Sequence, residues 1–218
     1  PFLNSVSSSI NSGLFFTQRL SLTDGYFFDV AGHPNYPTTP TFYASSVTRG
    51  IVKTSNDGVS SALANIGFNA TPVQALAISN VNTNNYRLYA GRESGFISDG
   101  LSVRGVSDIA LPTAWSNLPV AAVGSQGVPA LQLDYTTGAR IYAGNFGPSL
   151  LRSVNTGASF SAIALTGVNS VNAIAIDPRS CTPVPISGIC TSGPLQTLFI
   201  GGSENSSVAL GANSRALQ

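Results

Sequence analysis

The sequence predicts an all-β protein assembled from repeated units of four short strands. Hydrophobic residues make up 43% of the 218 residues and charged residues only 9%. The 22 glycines and 13 prolines are typical of many short strands joined by tight turns. In Val73–Ile78 and Val171–Ile176, alanine alternates with larger aliphatic residues at a period of two. This alternation suits strands whose two faces both meet neighbouring sheets, and it argues against helices.

The clearest copy of the repeat is Arg140–Phe160. It consists of a strand ending in Ala-Gly, a turn, a second strand and a polar corner with the sequence SVNTGASF, which begins at Ser153. The Ser153 hydroxyl and the Asn155 amide can bond nearby backbone groups, while Gly157 permits a positive φ. Because Phe160 can cover the turn, we expect the corner to link two antiparallel strands.

The strand that ends in small residues occurs four times along the chain, around Ala44, Ala90, Ala143 and Ile200. Successive copies are 46, 53 and 57 residues apart, which is the range for one four-stranded propeller blade. A polar corner is expected after each copy. The corner residues predicted outside Arg140–Phe160 are Thr54, Asn56, Gly58, Asp99 and Asn213, and the corner around Asn213 is expected to span Gly211–Arg215.

The pattern A-L-A-I, L-Y-A-G and S-x-N-x-G-x-x-F resembles the Asp-box, or bacterial neuraminidase repeat, family of β-propellers over residues 26–215. Asn replaces the Asp that is usual in the family, and the aromatic residue is kept only at Phe160. The resemblance implies that each corner joins the third and fourth strands of a blade and faces away from the central site. The predicted fold is therefore a β-propeller of about four to five four-stranded blades.

We interpret residues 1–218 as one propeller domain. The boundaries expected are a polar tract with a partial blade at 1–25 and blades at 26–71, 72–128, 129–170 and 171–218, the last one incomplete. In the partial blade, Gly13–Thr17 is expected to be a third strand and Leu20–Thr23 a fourth. Either the two ends of the chain pair and close the ring, or the sequence is a piece of a longer chain. A parallel β-helix is the rival all-β repeat, but its coils are usually shorter.

The last blade contains a Pro/Gly/Ser-rich insertion, residues 178–197, with the only two cysteines of the chain, Cys181 and Cys190. A disulfide between them would stabilise the fold by about 2.5–3 kcal/mol and would indicate an oxidising compartment. The sequons at Asn69 and Asn205 fall in predicted loops and are candidate glycosylation sites. These features predict an extracellular or cell-surface location.

Composition argues against several partners and cofactors. The net charge of +1, with a single lysine, gives no electrostatic footprint for nucleic acid. No apolar run reaches the roughly 20 residues that a membrane span requires. No histidine or further cysteine lies near the cysteine pair to complete a metal site, and the sequence predicts no metal and no cofactor.

No set of residues predicts catalysis. The only histidine, His33, lies in a turn and is interpreted as a surface or hydrogen-bonded turn residue. Asp29, Asp134 and Asp177 share one position of the repeat, so we interpret them as turn-capping residues and not as an acid/base pair. The lone Trp115 is more typical of a packed fourth-strand residue than of a platform for sugar rings.

Sialidases of the resembled family use an arginine cluster with a Tyr/Glu pair and an Asp, and this sequence does not match them residue by residue. Its glutamates are Glu93 and Glu204 only. The arginines considered, which are scattered over different positions of the repeat, are Arg49, Arg87, Arg92, Arg140, Arg152 and Arg179.

The sequence thus predicts a secreted, non-catalytic propeller that binds a protein or glycan ligand or serves as a structural module at the cell surface. One alternative is a glycoside hydrolase of sialidase-like or xyloglucanase-like type, which requires two carboxylates converging on a cleft. Another is a self-associating filament or surface-layer subunit, whose edge strands or polar N-terminal tract would contact the next copy.

Overall fold

The computed structural model of the chain describes residues 4–67, 72–82, 84–92, 100–107, 113–118, 127–183, 185, 188–204 and 214–217. Every helix or strand within these residues is a β-strand, so the predicted all-β class is confirmed. The described part of the chain contains no helix long and apolar enough to cross a membrane.

The first two sheets are an antiparallel hairpin and a four-stranded meander. The hairpin consists of β1 (Ser5–Ser8) and β2 (Thr17–Ser21). The meander consists of β3 (Phe27–Gly32), β4 (Phe42–Ser46), β5 (Gly50–Thr54) and β6 (Ala62–Leu63).

The remaining sheets follow the same plan, in which each strand pairs with the next one along the chain. The third sheet consists of β7 (Val73–Asn82), β8 (Asn85–Arg92), β9 (Leu101–Ser107) and β10 (Ser116–Asn117). The fourth consists of β11 (Ala130–Leu133), β12 (Ile141–Gly144), β13 (Ser149–Ser153) and β14 (Ser161–Ala164). The fifth consists of β15 (Val168–Ile176), β16 (Leu198–Glu204) and β17 (Ser214–Leu217). Four-stranded meanders of this kind are the blades of β-propellers.

The chain divides into two compact units. The first contains the described residues of Pro1–Arg92 and Val103–Ser116, and the second contains those of Glu93–Ser102 and Asn117–Gln218. The expectation of one propeller domain with blade boundaries at 26, 72, 129 and 171 stays a prediction, as does closure of a ring by the chain ends.

In the first unit, the central strands β4 and β5 are buried on both of their faces, and all five residues of β4 are buried, whereas both residues of β6 are exposed. Phe42 and Val52 pack with Leu20 of the hairpin. Tyr43 and Ile51, which alternate with them along the strands, belong to a second cluster that contains residues of β7 and β8. The period-two pattern of the sequence therefore corresponds to stacked sheets, as expected from strands with two apolar faces.

In the second unit, one face of the fourth sheet packs on the fifth. Tyr142 and Leu150 contribute to a cluster with Val171, Leu198 and Ile200. At Gly144 a Cβ atom would lie 2.2 Å from the Val171 carbonyl oxygen, so the absence of a side chain allows β12 and β15 to approach closely.

Two expectations about the ends of the repeat are corrected. The third strand of the partial blade is β1 and not Gly13–Thr17, because residues 9–16 form a polar corner instead of a strand. The fourth strand is β2, which overlaps the expected Leu20–Thr23. Ser214 and Arg215, which were assigned to the corner of the last copy, lie in β17, the third strand of its sheet.

Candidate functional site

The corner after β13 is held by side chain to backbone hydrogen bonds within eight residues. The Ser153 hydroxyl donates to Asn155 Oδ1 at 2.9 Å and accepts from the Gly157 N–H at 2.9 Å. Asn155 Oδ1 also accepts from the Ser159 N–H at 2.9 Å. Gly157 has a φ of +90°, which favours glycine. The corner joins β13 to β14, and Phe160 at its end is half-buried.

The corner after β5 has the same bonds. Thr54 Oγ1 donates to Asn56 Oδ1 at 3.0 Å and accepts from the Gly58 N–H at 2.8 Å. The Ser60 N–H donates to Asn56 Oδ1 at 2.9 Å. Asn56 Oδ1 therefore supplies the acceptor in this corner, and the Asn56 amide adds a bond to the Ser60 hydroxyl at 2.8 Å.

A third corner of this kind, Ser9–Phe16, was missed by the sequence reasoning. The Ser9 hydroxyl donates to Asn11 Oδ1 at 2.8 Å and accepts from the Gly13 N–H at 2.9 Å, and Asn11 Oδ1 accepts from the Phe15 N–H at 3.0 Å. The signal was present, because SINSGLFF matches S-x-N-x-G-x-x-F at every position. The apolar run Leu14–Phe16 at the end of this corner also fits the pattern of a strand, which is why the sequence predicts a strand there.

Four of the predicted site residues lie outside the described residues. They are the corner residues Asp99 and Asn213 and the candidate glycosylation sites Asn69 and Asn205.

The aspartates of the shared repeat position bond to backbone N–H groups far along the chain. Asp29 Oδ2 accepts from the Leu76 N–H of β7 at 2.8 Å. Asp134, which is fully buried, accepts from the Leu195 N–H at 3.0 Å with Oδ2 and from the Thr136 N–H at 3.0 Å with Oδ1. Asp134 thereby joins the end of β11 to the loop that leads into the fifth sheet. Asp29 lies inside β3 and joins this strand to β7, so it is not the turn-capping residue that the sequence predicts.

Burial is the main influence on Asp29 and raises the pKa of its carboxyl group, while the hydrogen bonds from the Leu76 and Val30 N–H groups act in the opposite direction. The third aspartate of the column, Asp177, accepts from the Arg179 N–H at 2.9 Å and makes a local turn as expected.

His33 is a buried turn residue and not a surface one. It is 4% exposed, its Nδ1 accepts from the Asn35 N–H at 3.1 Å, and its ring packs edge-on against Tyr86 at 4.3 Å. Trp115 is packed in the core next to β10, and its Nε1 donates to the Ala64 carbonyl at 2.6 Å. Neither side chain is placed as a catalytic base or as a platform for sugar rings.

The predicted disulfide between Cys181 and Cys190 is present, and both cysteines are buried together with Leu195. The turn between β11 and β12 holds this insertion in place. Tyr135 Oη donates to the Cys190 carbonyl at 3.0 Å, and Thr136 Oγ1 donates to the Gly193 carbonyl.

Residues 194–198, which follow the disulfide, form one wall of a cleft in the second unit. The other wall of the cleft is the face of the fourth sheet that also packs on the fifth. The cleft has a volume of about 390 Å³, within the range of small-molecule sites. It is lined by Arg140, Tyr142, Arg152, Ile163, Pro194, Leu195, Gln196 and Leu198.

Strand register places the polar residues of the cleft side by side. Tyr142 of β12 is the direct cross-strand partner of Arg152 of β13, and Arg140 lies two residues before Tyr142. Residues directly opposite each other in antiparallel strands have Cβ atoms about 5 Å apart. The Tyr142 side chain is 3% exposed, Arg140 is half-buried and Arg152 is exposed.

Among the described residues, neither of these guanidinium groups makes an ion pair or a side-chain hydrogen bond. The cleft therefore combines two arginine forks, the Gln196 amide and the apolar surface of Ile163 and Leu198. The sequence alone does not predict this cleft, because Arg140 and Arg152 occupy different positions of the repeat and no local pattern brings them together with residues 194–198.

The described aspartates are all engaged in other contacts. Asp24 pairs with the exposed Arg49 at 2.5 Å, and Asp57 forms a half-buried pair with Arg19 at 2.7 Å. Asp29, Asp134 and Asp177 make the bonds given above. No group of three or more potential metal ligands occurs among the described residues.

Comparison with known proteins shows similarity of fold without similarity of sequence. No protein-family model matches the sequence, and no curated protein matches it significantly. An ancestral GH74 enzyme superposes on 81% of the chain with a TM-score of 0.58 and 18% identity. The GH74 xyloglucanase from Xanthomonas campestris covers 84% with a TM-score of 0.57 and 17% identity. The WD40 β-propeller domain of Doa1 covers 84% with a TM-score of 0.52 and 12% identity.

The chain spans 22% and 28% of the two GH74 chains and 50% of the Doa1 chain, so it corresponds to only part of each. Since enzymes and a WD40 domain match at similarly low identity, the comparison establishes the fold alone. The chain has a β-propeller fold of four-stranded blades, as the repeat predicted.

Proposed function

We propose that the chain belongs to a secreted β-propeller that binds an acidic saccharide in the cleft of the second unit without cleaving it. The observation that carries this proposal is the pair Arg140 and Arg152, which lines the cleft without an acidic partner among the described residues. The disulfide is compatible with an extracellular location.

The chemistry of the cleft suits a ring that bears a carboxylate. A guanidinium group binds a carboxylate through two parallel hydrogen bonds, and such charge-assisted bonds are stronger than neutral ones. Tyr142, Ile163 and Leu198 supply apolar surface for the ring, and Gln196 can donate to or accept from a hydroxyl.

The test is isothermal titration of the purified chain with oligogalacturonate and with a neutral oligosaccharide of equal length. We expect binding of the acidic oligosaccharide only. The double variant Arg140→Gln/Arg152→Gln should weaken this binding by about a hundredfold or more, because it removes charged hydrogen bonds from two arginines and each such bond is worth about 1.5–3 kcal/mol.

Arg179→Gln is the matched control. Arg179 belongs to the same unit, its side chain is 69% exposed, and it does not line the cleft. It should bind as the wild type does. Equal affinities of the wild type and the double variant would contradict the proposal.

A second candidate is a glycoside hydrolase, which the similarity to GH74 structures favours. Hydrolysis of a glycosidic bond requires a pair of carboxyl groups about 5–9.5 Å apart. The described aspartates are committed to structural bonds, and Glu93, Asp99 and Asp108 lie outside the described residues. Release of new reducing ends from xyloglucan by the purified chain would establish this activity and would overturn the non-catalytic proposal.

A further inference from the structure

One tyrosine hydroxyl in the cleft of the second unit has no partner within the described part of the chain. Tyr142 is 3% exposed, yet its Oη atom forms no hydrogen bond with any residue that the structure describes. Two other tyrosines differ in this respect. Tyr36 Oη donates to Asp57 Oδ1 at 2.6 Å, and Tyr135 Oη donates to the Cys190 carbonyl at 3.0 Å. Because a buried tyrosine hydroxyl usually has a partner, the Tyr142 hydroxyl is a group that a ligand can satisfy.

This hydroxyl opens into the cleft. The side chain of Tyr142 lines the cleft, and its Oη atom is not sealed from solvent. Since the rest of the side chain is buried, the cleft is the open space that the Oη atom reaches. A tyrosine hydroxyl both donates and accepts, so it can form a hydrogen bond with a hydroxyl group of a ligand in either direction.

The polar groups of the cleft differ in their exposure. Arg152 is exposed and Arg140 is half-buried, whereas Tyr142 is the least exposed of the polar residues that line the cleft. Tyr142 belongs to an apolar cluster with Leu198, and Ile163 packs against this cluster. The cleft therefore has a charged rim that water reaches and a base that is apolar apart from one hydroxyl.

This arrangement determines how an acidic sugar can enter. Transfer of an ion from water to an apolar site costs far more free energy than transfer of a hydroxyl group that finds a partner. A carboxylate is therefore favoured at the rim, where guanidinium groups bind it and water still reaches it. In a uronic acid ring, the edge opposite the carboxylate bears hydroxyl groups, and this edge suits the base of the cleft.

We propose that the cleft holds one uronic acid ring edge-on, with its carboxylate at Arg140 and Arg152 and a ring hydroxyl bonded to Tyr142 Oη. Tyr142 is then a specificity-determining residue, because its hydroxyl distinguishes a hydroxylated acid from an anion of equal charge that lacks the hydroxyl. The inference rests on the proposed function, since it concerns how the acidic saccharide is recognised in the same cleft.

The test is isothermal titration of the 218-residue chain with two ligands of equal charge. One is trigalacturonate, and the other is the analogue in which hydrogen replaces the ring hydroxyls opposite the carboxylates. We expect the wild type to bind the deoxy analogue about tenfold more weakly, because the analogue leaves the Tyr142 hydroxyl unpaired. Tyr142→Phe, which removes only the hydroxyl, should bind both ligands with nearly equal affinity.

Tyr135→Phe is the matched control, because Tyr135 does not line the cleft and its hydroxyl already has a partner. This variant should keep the discrimination between the two ligands and should have a lower thermal midpoint than the wild type. Tyr142→Phe should melt no lower than the wild type, because it removes a hydroxyl that has no partner in the unliganded chain.

A Tyr142→Phe variant that discriminates between the ligands as the wild type does would overturn this inference and leave the proposed function standing. A lower thermal midpoint of Tyr142→Phe would do the same, because it would show that the hydroxyl is bonded within the folded chain. A wild type that binds neither ligand would instead overturn the proposed function and this inference together.

Discussion

Single side chains connect elements that lie far apart in the sequence. Asp29 bonds a backbone N–H group 47 residues away and Asp134 one that is 61 residues away. Buried backbone N–H groups need a partner, and an unmet one costs about 1–3 kcal/mol. The carboxylates of Asp29 and Asp134 are that partner for the N–H groups of Leu76 and Leu195, which have no partner strand on that side.

The raised pKa of Asp29 predicts a pH dependence of stability. Because the folded chain binds this proton more tightly than the unfolded chain does, the charged form of Asp29 opposes folding above the folded pKa. The wild type should therefore lose stability relative to Asp29→Asn as the pH rises from the ordinary value for Asp, about 3.9, through the raised folded value.

Urea unfolding of both proteins between about pH 3.5 and pH 7 measures this difference. A stability difference that stays constant, or that shifts in favour of the wild type as the pH rises, would contradict the assignment of burial as the main influence.

At the scale of elements, two corner glycines allow the effect of a positive φ to be measured apart from the effect of close packing against a neighbouring strand. Gly13 and Gly58 have similar φ values, +85° and +89°. Among the described residues, a Cβ atom at Gly13 would have no atom within 4 Å, whereas one at Gly58 would collide with the Arg19 carbonyl.

Gly13→Ala should cost about 1–2 kcal/mol, the cost of a left-handed conformation for a residue with a Cβ atom. Gly58→Ala should cost more than about 3 kcal/mol, because the hairpin and the corner must move apart in addition. Thermal unfolding of the two variants checks the order. Equal losses would mean that the contact with Arg19 does not contribute to stability.

The disulfide insertion is a second element with a testable contribution. A bridge that closes a loop of about ten residues stabilises by about 2.5–3 kcal/mol in the chain-entropy model. The double variant Cys181→Ser/Cys190→Ser should lose this amount in urea unfolding, and its cleft should bind ligand more weakly because Leu195 packs on the cysteines.

Addition of a reducing agent should produce the same loss in the wild type and no change in the double variant. A wild type that unfolds at the same urea concentration with and without reductant would show that the bridge is not a stabilising element.

On the scale of the whole molecule, stability rests on stacked apolar sheet faces and very little on charge. The net charge is +1 and charged residues are 9% of the chain. Two of the ion pairs of the described residues, Arg49 with Asp24 and Arg179 with Asp177, include exposed side chains, which salt screens and whose contribution is small; the pair Arg19 with Asp57 is half-buried.

The thermal midpoint should therefore change by no more than about 2 °C between low salt and about 0.5 M sodium chloride. Binding of an acidic ligand at Arg140 and Arg152 should weaken over the same range, because both guanidinium groups are in contact with solvent. Differential scanning fluorimetry and titration at each salt concentration provide the comparison. A large shift of the midpoint would reveal a charge network that these ion pairs do not account for.

The sequence by itself determined the features that depend on neighbours along the chain. Period-two alternation identified the inner strands, small residues marked the second strands, and Ser153-x-Asn155-x-Gly157 specified a corner whose bonds span only a few residues. The cysteine pair lies nine positions apart, and proximity alone was enough to predict the bridge. The corner at Ser9 can be predicted from the sequence for the same reason, since its bonds are equally local.

Tertiary structure alone decided which residues from different sheets meet. The bond from Leu195 to Asp134, the burial of His33 against Tyr86 and the cleft between Arg152 and Gln196 all join segments separated by tens of residues. Such contacts depend on how one sheet stacks on the next, which no local pattern encodes.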